Sequence, residues 1–173
     1  MHCQAVMAQS VMVGEVASAL NFIGRTRADR HAESKHFSVV GKAGGVVTSA
    51  LNMIGIFYRQ GGDTPDAGFD CSGFVRYVFK RALGFTLPRR AVDMSRVGKR
   101  VYLKDLKPGD LVFFDTTHQT FSHVGIYIGG GKFVHSPSTG QSVRIDYIND
   151  MYWGQRFTGG RHIRISRPAS KNI

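Results

Sequence analysis

Apolar positions recur along this chain with two different periods. Between Asp70 and Gly84 they fall at Phe74, Val75, Val78, Phe79 and Leu83, which line one stripe of a helix. Asp70 is a residue type that caps a helix start and Gly84 one that ends it, so the spacing predicts a helix with Cys71 in its first turn. The apolar-rich run from Val46 to Tyr58 predicts an earlier helix, ended by Gly61-Gly62 and the turn-forming run Asp63 to Gly68. After Lys107-Pro108-Gly109-Asp110 the period shortens to that of strands: Leu111 to Asp115, Ser122 to Ile128, Lys132 to Ser136, Ser142 to Asp146, and a last one near His162 to Ile165. Helices first and antiparallel strands after is an α+β order.

The beginning of the chain is patterned more weakly. Val13, Val16, Ala17, Leu20 and Ile23 recur at helical spacing, and the stretch from Arg25 to Lys42 then turns polar. A boundary near Gly41 to Gly45 divides a helical leader or appendage, residues 1–42, from a domain over 43–168 and a short tail over 169–173. At 173 residues with 42% apolar content, the chain has room for one domain with a sizeable core plus that appendage. Its unbroken apolar runs are too short for a transmembrane helix. Ala5 to Ile23 lacks a basic leading region and carries Glu15, so no secretory signal is readable.

Charge widens the choice of partners rather than narrowing it. Lys and Arg number 23 against 12 acids, a net charge of +11, with Ser72 to Lys104 and the chain after Gln155 the most basic stretches. Such a surface concentrates anions, whether nucleic acid, acidic lipid or an anionic wall polymer. A single-stranded nucleic-acid site interleaves aromatic with basic residues. Here the aromatics of the basic run follow the helix stripe, so nucleic acid is not expected as a partner.

Chemistry enters at Phe69-Asp70-Cys71-Ser72-Gly73. The two cysteines, Cys3 and Cys71, cannot build a disulfide framework and form no C-x-x-C pair, so cysteine chemistry here is thiol chemistry. A cysteine at a helix N-terminus sits among unpaired N–H groups and the positive end of the dipole, which favours thiolate. A nucleophilic thiol needs a base, and the base needs an orienting partner. His123 alternates with Val124, Ile126 and Ile128, so it faces away from the apolar side of its strand. His135 follows across Gly129-Gly130-Gly131. A three-residue loop sets Gly125 opposite His135 and brings both imidazoles to one sheet face, with room beside the glycine for the second ring; a two-residue loop sets them on opposite faces. Metal is not expected, because no carboxylate stands at a tight spacing to supply a third firm ligand. No other cofactor is implied.

These residues resemble the NlpC-type cell-wall endopeptidases, papain-like cysteine peptidases of bacteria. The resemblance runs from about Val46 to Ile165. It rests on Tyr58 to Gly62, on Gly68-Phe69-Asp70-Cys71-Ser72-Gly73-Phe74-Val75, on Leu87-Pro88-Arg89, on Asp105 to Phe114, on His123-Val124-Gly125-Ile126-Tyr127-Ile128-Gly129, and on Phe133-Val134-His135-Ser136. It implies a papain-like core in which the nucleophile helix packs on a five- to six-stranded antiparallel sheet. It also implies Cys71 as nucleophile, His123 as base and acid, and His135 as the residue that orients His123. Tyr58 would line the cleft and help the oxyanion, and Asp70, Ser72 and Arg89 would shape substrate subsites; Ser122, beside His123, is counted with the substrate-binding residues.

The activity implied is hydrolysis of peptidoglycan stem peptides, at the bond between γ-D-glutamate and the diamino acid or at a cross-link, outside the cytoplasmic membrane and by a monomer. An amidase, an acyltransferase or a non-catalytic wall-binding module on the same scaffold are the alternatives. Gln60, Arg90 and Met94 depart from the residues usual in the family and bear on substrate choice. A disulfide between Cys3 and Cys71 would switch the site off only if the leader folds back into the cleft; a flexible tail is the other reading.

Overall fold

A computed structural model of the chain describes residue 41 and residues 43–164. The expectations for the leader, Cys3 included, and for the chain beyond residue 164 lie outside the described residues. The first helix among the described residues, α1, covers residue 41 and residues 43–51 and buries Val46 and Ala50. It stops well short of Tyr58. Gly55 takes φ 92°, a left-handed value that glycine adopts without strain, and its N–H donates to the Val143 carbonyl at 2.9 Å. Phe57 then bridges Ser142 and Tyr58 bridges Phe69, so the backbone of this apolar run pairs with neighbouring segments instead of continuing the helix.

The turn region after Tyr58 holds a two-stranded ladder, β1 (Asp63–Thr64) with β2 (Gly68–Phe69), which the sequence reading had as turn alone. Helix α2 (Cys71–Leu83) follows directly. Its caps are those predicted: the Asp70 carboxylate accepts the Gly73 N–H at 2.7 Å, and Gly84, at φ 66°, donates its N–H to the Lys80 carbonyl. Phe74, Val75, Val78 and Phe79 are buried. A short helix, α3 (Ala91–Met94), leads into the main sheet.

That sheet has six strands, β3 (Lys99–Val101), β4 (Leu111–Phe114), β5 (His123–Gly129), β6 (Lys132–His135), β7 (Arg144–Tyr147) and β8 (Phe157–His162), in the order β3-β8-β4-β5-β6-β7. All its pairings are antiparallel. Helix α2 covers one face against Leu111, Phe113, Val124, Ile126 and Val134. The other face buries Val112, Phe114 and Phe133 under Ile148 and Trp153, the latter on helix α4 (Met151–Gly154). Among the described residues no helix is long and apolar enough to cross a membrane.

The β5–β6 hairpin differs from the expected one and still reaches the expected result. Gly129 pairs with Lys132, so the loop is the two residues Gly130 and Gly131, at φ 59° and 73° as a primed hairpin turn requires. Alone, that loop would put His123 and His135 on opposite faces. A bulge at Ile128 supplies the missing residue, and the register continues as Tyr127 with Phe133 and Ile126 with Val134. Gly125 therefore lies beside His135: a Cβ there would sit 3.2 Å from His135 Cβ and 2.7 Å from Phe133 Cδ2.

Candidate active site

The seat of Cys71 is built by one carboxylate. Asp70 caps α2 through Gly73, accepts the Gly61 N–H at 3.0 Å and the Ser72 hydroxyl at 3.2 Å, and is paired with both terminal nitrogens of Arg89. Arg89 also donates to Ser72 Oγ at 2.8 Å. Burial alone would raise the Asp70 carboxyl, but Arg89, the Gly73 N–H and Ser72 outweigh it and hold the group below the usual carboxylate range. Three of the predicted residues, Asp70, Ser72 and Arg89, thus form one network beside Cys71.

Cys71 is half-buried in the first turn of α2. Burial pushes its thiol up, and the Asp70 carboxylate adds to this; the N–H groups of Val124 and Ser72 and the Arg89 charge pull it down by less. Burial thus opposes the pull toward thiolate that the helix end exerts.

The histidines meet. His123 Nε2 lies 2.8 Å from His135 Nδ1 with the rings perpendicular, and His135 Nε2 lies 3.0 Å from Asp146 Oδ2. His123 does not face an open side, because the second sheet face is itself covered: Trp153 stacks on it and Phe114 packs beside it. Burial pushes His123 well down, with His135 adding to the effect, and burial pushes His135 down against the pull of Asp146. Both rings are neutral at pH 7. Asp146, Arg144 and Trp153 were not read as site residues from the sequence. The signal for Asp146 and Arg144 was strand register: β6 and β7 pair His135 with Arg144 and Phe133 with Asp146, which places Asp146 diagonally from His135 on one face.

An open cleft of about 1140 Å³ joins these parts. Cys71, His123, Tyr58, Asp70, Ser72, Arg89 and Ser122 all line it, as do Asp146 and Trp153. The Tyr58 hydroxyl donates to Gln60 Oε1 at 2.7 Å, so Gln60 holds the tyrosine in the free protein. The Ser122 hydroxyl receives the Thr116 N–H at 2.8 Å, which ties down the polar loop between β4 and β5.

These ionisations fix how stability depends on pH. In the unfolded chain a histidine takes up its proton near about pH 6.5, whereas buried His123 and His135 do not, so the unfolded state binds more protons and stability falls as pH drops through that region. Asp70 and Asp146, both held low, add a further loss below about pH 4. The raised Cys71 thiol acts oppositely: the unfolded thiol ionises first, so stability also falls above about pH 8.5. The urea midpoint is expected to be greatest between about pH 6.5 and 8.5 and to decline on the acid side well before carboxylates titrate. A midpoint unchanged between pH 7 and 5 would contradict neutral buried histidines.

Residues 55–162 match the NlpC/P60 family model. The gamma-DL-glutamyl hydrolase of Bacillus subtilis is 47% identical over 117 residues, which covers 67% of this chain and 28% of that protein. Murein DD-endopeptidase MepH of Escherichia coli is 42% identical over 132 residues, covering 74% of this chain and 49% of that one. This chain therefore spans between about a quarter and a half of the length of these relatives. The NlpC/p60 domain of peptidoglycan hydrolase SagA superposes with a TM-score of 0.62 at 31% identity, covering 70% of this chain and 98% of that structure. With a papain-like core, a cysteine at the head of α2 and paired histidines on β5 and β6, the chain belongs to the NlpC/P60 family.

Proposed function

We propose that this protein is a cysteine peptidase that hydrolyses peptidoglycan stem peptides through a thioester on Cys71, at the bond between γ-D-glutamate and the diamino acid. One observation carries the reading: a half-buried thiol at the head of a helix lines the same cleft as His123, whose ring is hydrogen-bonded to the fully buried His135. Among the described residues His123 makes its side-chain hydrogen bond through Nε2, and its ring shares one cleft with Cys71.

The reaction uses the thiol, the His123 ring and the helix end that the cleft brings together. Cys71 Sγ attacks the stem-peptide carbonyl carbon as its proton passes to His123, which had been neutral. The Cys71 backbone N–H, unpaired among the described residues at the first position of α2, stabilises the oxyanion. Tyr58 adds a second donor once its hydroxyl leaves Gln60. His123 then returns the proton to the departing amine as the C–N bond breaks. Water, deprotonated by His123, cleaves the thioester and restores the thiol. Arg90, mostly exposed at the border of the cleft, suits a carboxylate of a stem peptide, whereas Arg89 is already paired with Asp70. Since peptidoglycan lies outside the cytoplasmic membrane, the protein acts there.

The similarity to MepH supports a second bond, the cross-link between stems. Digestion of defined muropeptides followed by mass spectrometry separates the two. A product pair split between D-glutamate and the diamino acid is expected. Release of uncrosslinked stems alone would favour the second bond, and intact muropeptides with retained binding would favour a wall-binding module.

A further inference from the structure

We propose that Asp146 is a positioning residue of this site: held by Arg144 and Trp153, its carboxylate dictates which nitrogen of each imidazole carries the proton, so that His123 Nδ1 is left bare as a proton acceptor. The inference rests on the reading of Cys71 as nucleophile and His123 as its base.

An ionised carboxylate only accepts hydrogen bonds, and indole and guanidinium nitrogens only donate them. Asp146 Oδ2 receives Trp153 Nε1–H at 3.0 Å and Arg144 Nη2–H at 3.0 Å, while Arg144 Nε lies 3.1 Å from both oxygens. Burial would raise this carboxyl, but the His135 and Arg144 hydrogen bonds keep it ionised far below neutral pH. Toward such an oxygen, at 3.0 Å, His135 Nε2 is compatible only with an N–H. A neutral imidazole holds a single proton, so His135 Nδ1 is bare. His123 Nε2, at 2.8 Å, must then be the donor, and the proton of His123 is spent there. Its Nδ1 is left as the acceptor.

Without the carboxylate the 2.8 Å contact fits two arrangements equally well. In the second, His135 Nδ1–H donates to a bare His123 Nε2, and His123 Nδ1 then carries a proton and cannot accept another. The pair of rings orients itself but cannot choose. Trp153 ties the choice to the second core, since its ring stacks on His123 and meets His135 edge-on while its N–H holds Asp146. The Asp150 side chain caps the helix that presents it, accepting the Tyr152 N–H at 2.9 Å.

The test combines a spectrum and a rate. In the full chain with 15N-labelled histidine, long-range proton–nitrogen correlations at pH 7.5 are expected to show His123 and His135 both protonated at Nε2 and bare at Nδ1. Asp146→Ala should mix the tautomers of the pair and lower kcat on a stem tripeptide about 10- to 100-fold, with KM little changed. A wild-type spectrum with a proton on Nδ1 of either ring would overturn the proposal whether or not the variant folds. So would an Asp146→Ala protein with unaltered tautomers or with wild-type kcat. If wild-type protein cleaves no wall substrate yet gives the expected spectrum, the peptidase reading fails while the tautomer assignment stands.

Discussion

Replacing Cys71 with alanine is expected to lower stem-peptide hydrolysis by about 10³-fold or more while the protein stays folded. Removing the sulfur deletes the protein atom that forms a bond to substrate carbon in the proposed reaction. The polar residues that line the cleft beside it cannot replace it, because Ser72 is hydrogen-bonded to Asp70 and Arg89 and Tyr58 to Gln60. The fold does not depend on the sulfur: the start of α2 is held by the Asp70 carboxylate and the Gly73 N–H, neither of which the substitution touches. Loss of partial packing by a half-buried side chain costs on the order of 1 kcal/mol. Initial rates by liquid chromatography with mass spectrometry, beside urea unfolding of both proteins, check the two halves of the expectation. Cleavage by the variant within tenfold of wild type would remove Cys71 from the mechanism.

A second large effect is expected at Gly73, on stability and activity together. A Cβ built there lies 2.0 Å from the Gly62 carbonyl oxygen and 3.1 Å from Asp63 Cα, both backbone atoms. Gly62 in turn accepts the Asp70 N–H at 3.0 Å, and Asp70 accepts the Gly61 N–H. Gly73→Ala must therefore push away the segment that seats the capping residue, and it is expected to cost about 3 kcal/mol and most of the activity. Gly84→Ala is the control. Its φ of 66° strains an alanine, but no atom lies within 4 Å of the added Cβ and the position is at the far end of α2. About 1 kcal/mol and unchanged kcat are expected there. Urea midpoints and rates for the two variants give the ordering; equal behaviour would show that the close approach at Gly73 does not shape the site.

What could be read from the residues depended on how local its cause was. Helix α2 was legible because stripe, N-cap and C-cap all fall within one segment, and Cys71 came with it. Strands β4, β5 and β6 were legible from alternation. Strand β3 was not, because Lys99–Val101 is short, largely exposed at a sheet edge and lost in a basic run. Strand β8 ends where the predicted strand begins, for Gly159-Gly160 reads as a turn; in the fold a Cβ on Gly160 would meet Leu106 and Val101 side chains at 2.8 and 2.9 Å, so that glycine permits close packing inside a strand. The bulge at Ile128 left no mark in the sequence, and the histidine pair was inferred through a loop of the wrong length. Asp146 and Trp153 reach the site only through the β6–β7 register and the return of α4, contacts that no local pattern encodes. The two influences on the thiol differ in the same way: the helix end is visible in sequence, while the burial that opposes it is a property of the assembled core.

A thioester on Cys71 can be tested directly by partitioning. Turnover of a stem tripeptide in increasing concentrations of hydroxylamine is expected to yield the hydroxamate of the released acyl fragment at the expense of the free acid, because the amine attacks the same acyl-enzyme that water does. Cleavage that proceeds at its usual rate and gives only the free acid at every hydroxylamine concentration would mean that water attacks the peptide without a covalent intermediate, and the nucleophile assigned to α2 would be wrong.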